Sequence, residues 1–331
     1  VSNAYNRPDQ LSAALRERII VTAAELGYTG PDPVARSLAT RGGGPVAFML
    51  GGGLSAAFSD PALSIVLDSM ASTLDSEREL LLMPGTGAGP RPDRVARAHA
   101  DIAVAYSLPD DSPALARVHA RSLPLVVIDQ PVIAGSARVD VADEAGAILA
   151  ARHVRDLGHR TVGILGFALG TDGERGPVSP DRLRHARFRV TRDRVRGYLT
   201  GLGASLDGAD VPIWEAPGCL RDHGREGARW LLTRDPRPTA LLCLSDELAL
   251  GAIRAASDLG LRVPHDVSVV GFDDTPAAQW ADPPLTTIRQ DLVEKGRVAA
   301  ELALNLLDGA RPPAPITLPA TLIERASTAA R

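Results

Sequence analysis

Eight short apolar runs, each followed by a stretch of helical spacing, constrain this chain more than any other feature. They fall into two series. The first is Val46–Leu50, Leu80–Met83, Ile102–Ala105 and Leu125–Ile128; the second is Val162–Phe167, Val211–Glu215, Ala240–Leu244 and Val267–Phe272. Runs of this length, rich in aliphatic and β-branched residues and bounded by turn residues, read as buried strands. Strand–helix alternation implies parallel sheets with helices on both faces. Two such series predict two doubly wound α/β subdomains rather than one wide sheet. Some helix ends are also legible. Asp143 is expected to cap a helix that Gly158 closes, and Thr191 one that Gly203 closes. Ser12 is expected to cap an amphipathic helix through Leu15, Ile19, Ala23 and Leu26, ended by Gly27.

The 331 residues suffice for two or three domains. A net charge of -4 argues against whole-molecule attraction to nucleic acid or an acidic membrane, but leaves a local basic patch open. Cys219 and Cys243 are the only cysteines, so neither a disulfide framework nor a thiolate zinc site is expected. Every apolar run is far shorter than a membrane span, and no signal peptide is legible in the opening residues. A cytoplasmic setting without a membrane partner is therefore expected. Lys295 is the sole lysine among 36 basic residues, which alongside the abundant alanine reads as compositional bias rather than chemistry.

Few residues support catalysis. Gly51–Ala56 contains G-x-G-x-x-A after a strand, the pattern of a dinucleotide site. Such a site needs an acid at the end of the second strand, and here that strand runs into Pro84-Gly85. No cofactor is expected. No nucleophile elbow or metal-binding helix motif is present, and the seven histidines are scattered, so an enzyme is not expected. Asp273 and Asp274 directly follow an apolar run, where an open α/β sheet presents its crevice. They read either as a hydroxyl- or cation-binding pair or as a turn cap.

The phrase around them is more specific. Residues 263–290 read VPHDVSVVGFDDTPAAQWADPPLTTIRQ, and Leu244–Gly251 just upstream read LSDELALG. Together they resemble the lactose-repressor (LacI/GalR) family of bacterial transcription factors. Residues 1–28 resemble the back half of that family's helix-turn-helix domain, with Ser2 and Asn3 in the DNA-reading helix. Val1 already stands inside what reads as a helix, so the chain is expected to begin partway through that domain. Pro33–Leu38 resembles the family's hinge helix, in which Ala35 and Leu38 would meet DNA, Leu38 as a wedge in the minor groove. So short a helix needs a partner to form.

The resemblance implies a periplasmic-binding-protein-like core (type I), preceded by a partial α-helical DNA-binding domain. It places that domain at 1–28, the hinge and linker at 29–44, the first subdomain at 45–160 plus 288–317, and the second at 161–287 plus 318–331. Three crossings would join the subdomains. Arg194 matches the arginine that reaches the effector, at the start of its helix; Asp273 matches the effector-binding aspartate, and Ser245 and Asp246 a neighbouring effector loop. Two expected aromatics are missing: Asp60-Pro61-Ala62-Leu63 replaces an aromatic-bearing segment, and Cys219 stands near where a ring closes the other wall. Leu169–Val190 departs from the family as a long basic segment, either a lid or a solvated loop. The function implied is a homodimeric repressor binding operator DNA and a small polar effector, a sugar or sugar derivative. A solute-binding protein of the same core, serving a transporter, is the alternative.

Overall fold

A computed structural model describes residue 4 and residues 11–26, 44–74 and 78–331. The chain divides into two compact units, Val1–Gly44 and Pro45–Arg331. In the first, the helix Ala13–Glu25 begins after Ser12, whose hydroxyl accepts the Leu15 N–H at 3.4 Å, as its capping role requires. Ser2, Asn3, Gly27, Ala35, Leu38 and the hinge segment lie outside the described residues.

The second unit holds two sheets. The first comprises β1 (Val46–Leu50), β2 (Leu80–Met83), β3 (Ile102–Tyr106), β4 (Leu125–Ile128) and β5 (Ala137–Val141). The second takes β6 (Val162–Gly166), β7 (Gly176–Pro177), β8 (Ile213–Glu215), β9 (Ala240–Cys243), β10 (Ser268–Asp273) and β11 (Thr286–Gln290). Near the end of the chain, β12 (Ile316–Leu318) returns to the first sheet and β13 (Ala320–Ile323) to the second. The orders are β12-β5-β4-β3-β1-β2 and β13-β11-β10-β9-β6-β8-β7. The first sheet is wholly parallel, while β13 and β7 are antiparallel edges of the second.

The central strands are covered on two faces, which is why β1, β3, β4 and β9 are apolar without alternating polar residues. In β1, Val46, Phe48 and Leu50 pack with Val66 and Met70 of the helix Pro61–Leu74 and with Leu302 of the helix Leu292–Leu307. Ala47 and Met49 point the other way, to Val95 and Leu115. The second sheet repeats the scheme: Ile164, Leu242 and Phe272 meet Val195 and Tyr198 on one face, and Leu165, Leu241 and Val269 meet Leu231 and Ala252 on the other.

The subdomain boundaries expected from the sequence need correction. The helix Asp143–Asp156, assigned there to the first subdomain, packs on the second sheet through Ala147, Ala150, Ala151 and Val154. It is drawn there by a notch in the helix Arg189–Leu202. A Cβ on Gly197 would lie 2.4 Å from the Glu144 carbonyl oxygen, and one on Gly201 would lie 2.6 Å from the Ala151 Cβ. Only glycine admits that approach. The first crossing therefore falls between Val141 and Asp143, not near residue 161. Likewise Ile288 and Arg289 pair with β10 and Gln290 with β13 in the second sheet, and Leu318 pairs with Val141 in the first. The other two crossings follow Gln290 and Leu318.

Two caps also differ. Asp143 is the first helical residue and makes no capping bond; its carboxylate turns to Arg194. The helix expected to start at Thr191 starts at Arg189, and Thr191 instead donates to the Ala168 carbonyl at 3.1 Å. Gly203 does close that helix, with φ of +72°.

Candidate functional site

The carboxyl ends of both parallel sheets carry the polar residues expected to matter. Arg194 lies in the second turn of its helix, not at its start, and is 5% exposed. Its Nε donates to Asp143 Oδ1 at 2.8 Å and its Nη1 to the Leu244 carbonyl at 2.6 Å. Nη1 also stands 3.6 Å from Asp273 Oδ1. The guanidinium carbon sits 3.6 Å from the centre of the Phe272 ring, a cation–π contact that fixes the plane of the fork. Burial works against the charge, but Asp143 and Asp273 more than offset it, so Arg194 is held charged.

Asp273 ends β10 with φ of +129°, and Asp274 follows at +58°. Non-glycine residues rarely adopt such backbone, and here it aims the two carboxylates apart. Asp274 is ion-paired to Arg289 and Arg325, each at 2.6 Å, so it serves the protein's own framework. Asp273 remains beside Arg194 and accepts from Gln290 Nε2 at 2.5 Å. Burial pushes its carboxyl well above the usual range, against the pull of Arg194.

A buried relay missed in the sequence continues from there. Gln290 Oε1 accepts from Lys295 Nζ at 2.6 Å, and the same ammonium donates to Asp129 Oδ2 at 2.9 Å. Lys295 is 1% exposed, so the chain's sole lysine is a sealed link between the crossing at Gln290 and the carboxyl end of β4. Asp129 has φ of +64°. Its Oδ1, and Oδ2 of Asp143, are buried without a hydrogen-bond partner in the protein.

Ser245 and Asp246 do not join this group as expected. Ser245 caps the helix Asp246–Asp258, its hydroxyl accepting the Leu248 N–H at 3.3 Å. Asp246 is fully buried; it accepts from the Thr275 backbone at 2.7 Å and from the Thr287 hydroxyl at 2.5 Å. Burial pushes its carboxyl up to about 7. It ties the turn after β10 to β11, and its acceptors are already engaged.

The two positions noted for lost aromatics face each other across the subdomains. Asp60 caps the helix Pro61–Leu74, accepting the Ala62 N–H at 3.0 Å, and its Oδ2 accepts the Cys219 thiol at 3.5 Å. Burial raises both groups' pKa values. Tyr106, at the end of β3, is a further member; burial, then the charges of Asp60, Asp129 and Asp273, hold its phenol well above the usual value. Its position at a strand's carboxyl end was the available signal. Among the described residues no cluster of His, Cys, Asp or Glu is arranged to hold a metal ion, and no helix is long and apolar enough to cross a membrane.

Comparison with known proteins agrees with this architecture. Residues 151–328 match the family described as a periplasmic binding protein-like domain. The chain is 39% identical over 320 residues to an HTH-type transcriptional regulator of Mycolicibacterium smegmatis, covering 92% of this chain and 86% of that protein. Among solved structures, a LacI-family transcriptional regulator from Corynebacterium glutamicum matches with a TM-score of 0.80 at 32% identity, over 99% of this chain and 94% of that one. The transcriptional regulator CelR, solved as a cellobiose complex, matches with a TM-score of 0.73 at 25% identity, over 98% and 94%. These relatives are transcriptional regulators, not enzymes.

Proposed function

Because the chain belongs to the LacI/GalR family of HTH-type transcriptional regulators, we propose that it is a cytoplasmic, homodimeric repressor without catalytic activity. Its hold on operator DNA is set by a small, hydroxyl-rich effector, a sugar or sugar derivative, bound between the two subdomains. Ser2, Asn3, Ala35 and Leu38 are the residues assigned to DNA. Arg194 and Asp273 are assigned to the effector, joined by Asp129 and Asp143; Ser245 and Asp246 are withdrawn from that role because their acceptors serve the protein.

One observation carries the effector chemistry. Two carboxylate oxygens, Asp129 Oδ1 and Asp143 Oδ2, are buried without a donor. A buried acceptor left unpaired costs about 1–3 kcal/mol, which a ligand rich in O–H groups relieves. The surrounding acids Asp60, Asp129, Asp143 and Asp273 outnumber the cations Arg194 and Lys295, and burial favours the protonated forms of Asp60, Asp143 and Asp273, so a neutral ligand rich in O–H groups suits the site better than an added anion. Cellobiose in the CelR structure is a ligand of the favoured kind. The homodimer is supported by large apolar side chains left exposed, Phe58 at 68% and Trp280 at 81%. Sedimentation equilibrium should accordingly return twice the mass of one chain.

The decisive experiment is calorimetry against neutral sugars and polyols, with the matching sugar acids and phosphates as controls. A neutral ligand should bind, and Arg194→Ala and Asp273→Ala should each weaken it roughly a hundredfold, as expected for losing one charge-assisted hydrogen bond. Preferential binding of the anions, or parent-like affinity in both variants, would sink the assignment.

A further inference from the structure

The segment Leu169–Val190 is folded: it carries β7 and the one-turn helix Pro180–Arg184, capped by Ser179. One end of it is anchored in the second subdomain. Glu215, 4% exposed at the end of β8, accepts the Leu169 N–H at 2.7 Å and takes both Nε and Nη2 of Arg182 at 2.8 Å. The same guanidinium binds both oxygens of Asp172, and the Val178 N–H donates to the Ile213 carbonyl at 2.9 Å.

The other end reaches the first subdomain. Asp110 and Asp111 lie between β3 and the helix Pro113–Ala120. Arg187 donates to both oxygens of Asp111 while its own carbonyl accepts the Asp110 N–H at 3.0 Å. Arg192 Nη1 donates to Asp110 Oδ2 at 2.6 Å and to the Ala186 carbonyl at 2.7 Å. Arg189 bonds Asp140 at 2.7 Å and the Asp129 carbonyl, and the Val190 N–H donates to Gln130 Oε1 at 2.7 Å. Arg187 and Arg189 of the segment, with Arg192 two residues beyond it, thus meet three aspartates of the opposite subdomain.

We propose that Leu169–Val190 is a strap: rooted on Glu215, it holds the two subdomains closed through its own Arg187 on Asp111 and through Arg192, just beyond its end, on Asp110, and so governs opening of the cleft. The strength of the latch follows from exposure. Arg187 and Asp111 are 42% and 58% exposed, and Arg192 and Asp110 are 32% and 42%. Half-exposed pairs are weak and salt-screened, each favouring closure about two- to fivefold. Together they make a catch that releases reversibly, whichever molecule fills the cleft. The root, where Arg182 grips the buried Glu215, stays in place meanwhile. Asp110, Asp111, Arg187 and Arg192 act by position, touching no effector.

Hydrogen exchange on the ligand-free protein, read by mass spectrometry at residue resolution, tests this. The Val190 amide reports closure because its acceptor, Gln130, lies across the cleft. The Arg187 amide reports the strap itself, because it donates to Leu169 within the segment at 2.7 Å. In Asp110→Asn/Asp111→Asn, Val190 should exchange about tenfold faster while Arg187 does not change. High salt should have the same effect on the parent, and the reversed pair Asp111→Arg/Arg187→Asp should slow Val190 again. An unchanged Val190 rate in the variant and in salt would overturn the proposal. So would equal acceleration of Arg187, which would mean that the segment frays instead of releasing.

Discussion

Replacing Lys295 with methionine should be among the most damaging single changes to the folded core. Methionine has similar length but no donor, so the cavity term is small and the polar term dominates. Asp129 Oδ1 already lacks a partner, and Oδ2 depends on Lys295 at 2.9 Å. The variant therefore leaves a carboxylate that is 6% exposed with neither oxygen paired to a side chain, and Gln290 Oε1 loses its donor at 2.6 Å. Breaking a buried ion pair by removing one partner costs about 3–5 kcal/mol, because the remaining charge is uncompensated. With Tm moving by about 2–4 °C per kcal/mol in domains of about 150–250 residues, melting should fall by roughly 6–20 °C. Adding Asp129→Asn removes the stranded charge, so Asp129→Asn/Lys295→Met should recover about 1–3 kcal/mol relative to the sum of the single changes. Urea unfolding of the four proteins, followed by circular dichroism, closes this cycle. A loss below about 1 kcal/mol in Lys295→Met, or strict additivity in the double variant, would refute the view of Lys295 as the counter-charge that keeps Asp129 buried.

Two other outcomes follow from the packing and the charges. In Gly197→Ala the new Cβ would lie 2.4 Å from a backbone carbonyl, so overpacking of about 1–3 kcal/mol should outweigh the roughly 1 kcal/mol of helix propensity gained; an unchanged urea midpoint would contradict the notch. The carboxyl of Asp246 is raised to about 7 in the fold from its ordinary 3.8, so between those values the folded state holds a proton that the unfolded chain releases. Its contribution to stability is present at low pH and is lost as pH rises through that window, by up to about 4 kcal/mol. Asp246→Asn should remove that falling component, and parallel stability–pH curves for parent and variant would dismiss it.

The central strands were legible because burial on both faces leaves almost only apolar residues in them, as in Val46–Leu50 and Leu125–Ile128. The crossing at Asp143 was not, because the helix that follows chooses its sheet by a notch made far away at Gly197 and Gly201. Arg194 and Asp273 were found from motif and strand end together, and the structure brings them within 3.6 Å. Ser245 and Asp246 stand in the same loop region, but whether a polar side chain faces a ligand or its own backbone depends on partners such as Thr275 and Thr287, distant in sequence. Asp129 and Gln290 carried no motif of their own, and Lys295, noted as the sole lysine, was read as compositional bias. The signal lay in composition: where arginine serves almost every basic position, the retained lysine occupies a site that admits only a compact, single-headed cation.

That choice leaves the folded surface without a single side-chain amine. Within these 331 residues, acylating dyes, amine-coupling resins and transferases that modify lysine have no exposed side-chain target in the folded state. A protease cutting only after lysine has one peptide bond to attack, Lys295–Gly296, inside the helix Leu292–Leu307. Its cleavage would divide the chain once, and only in molecules that have opened. This 331-residue chain thus carries its own unfolding reporter, readable as two fragments on a gel with no label attached.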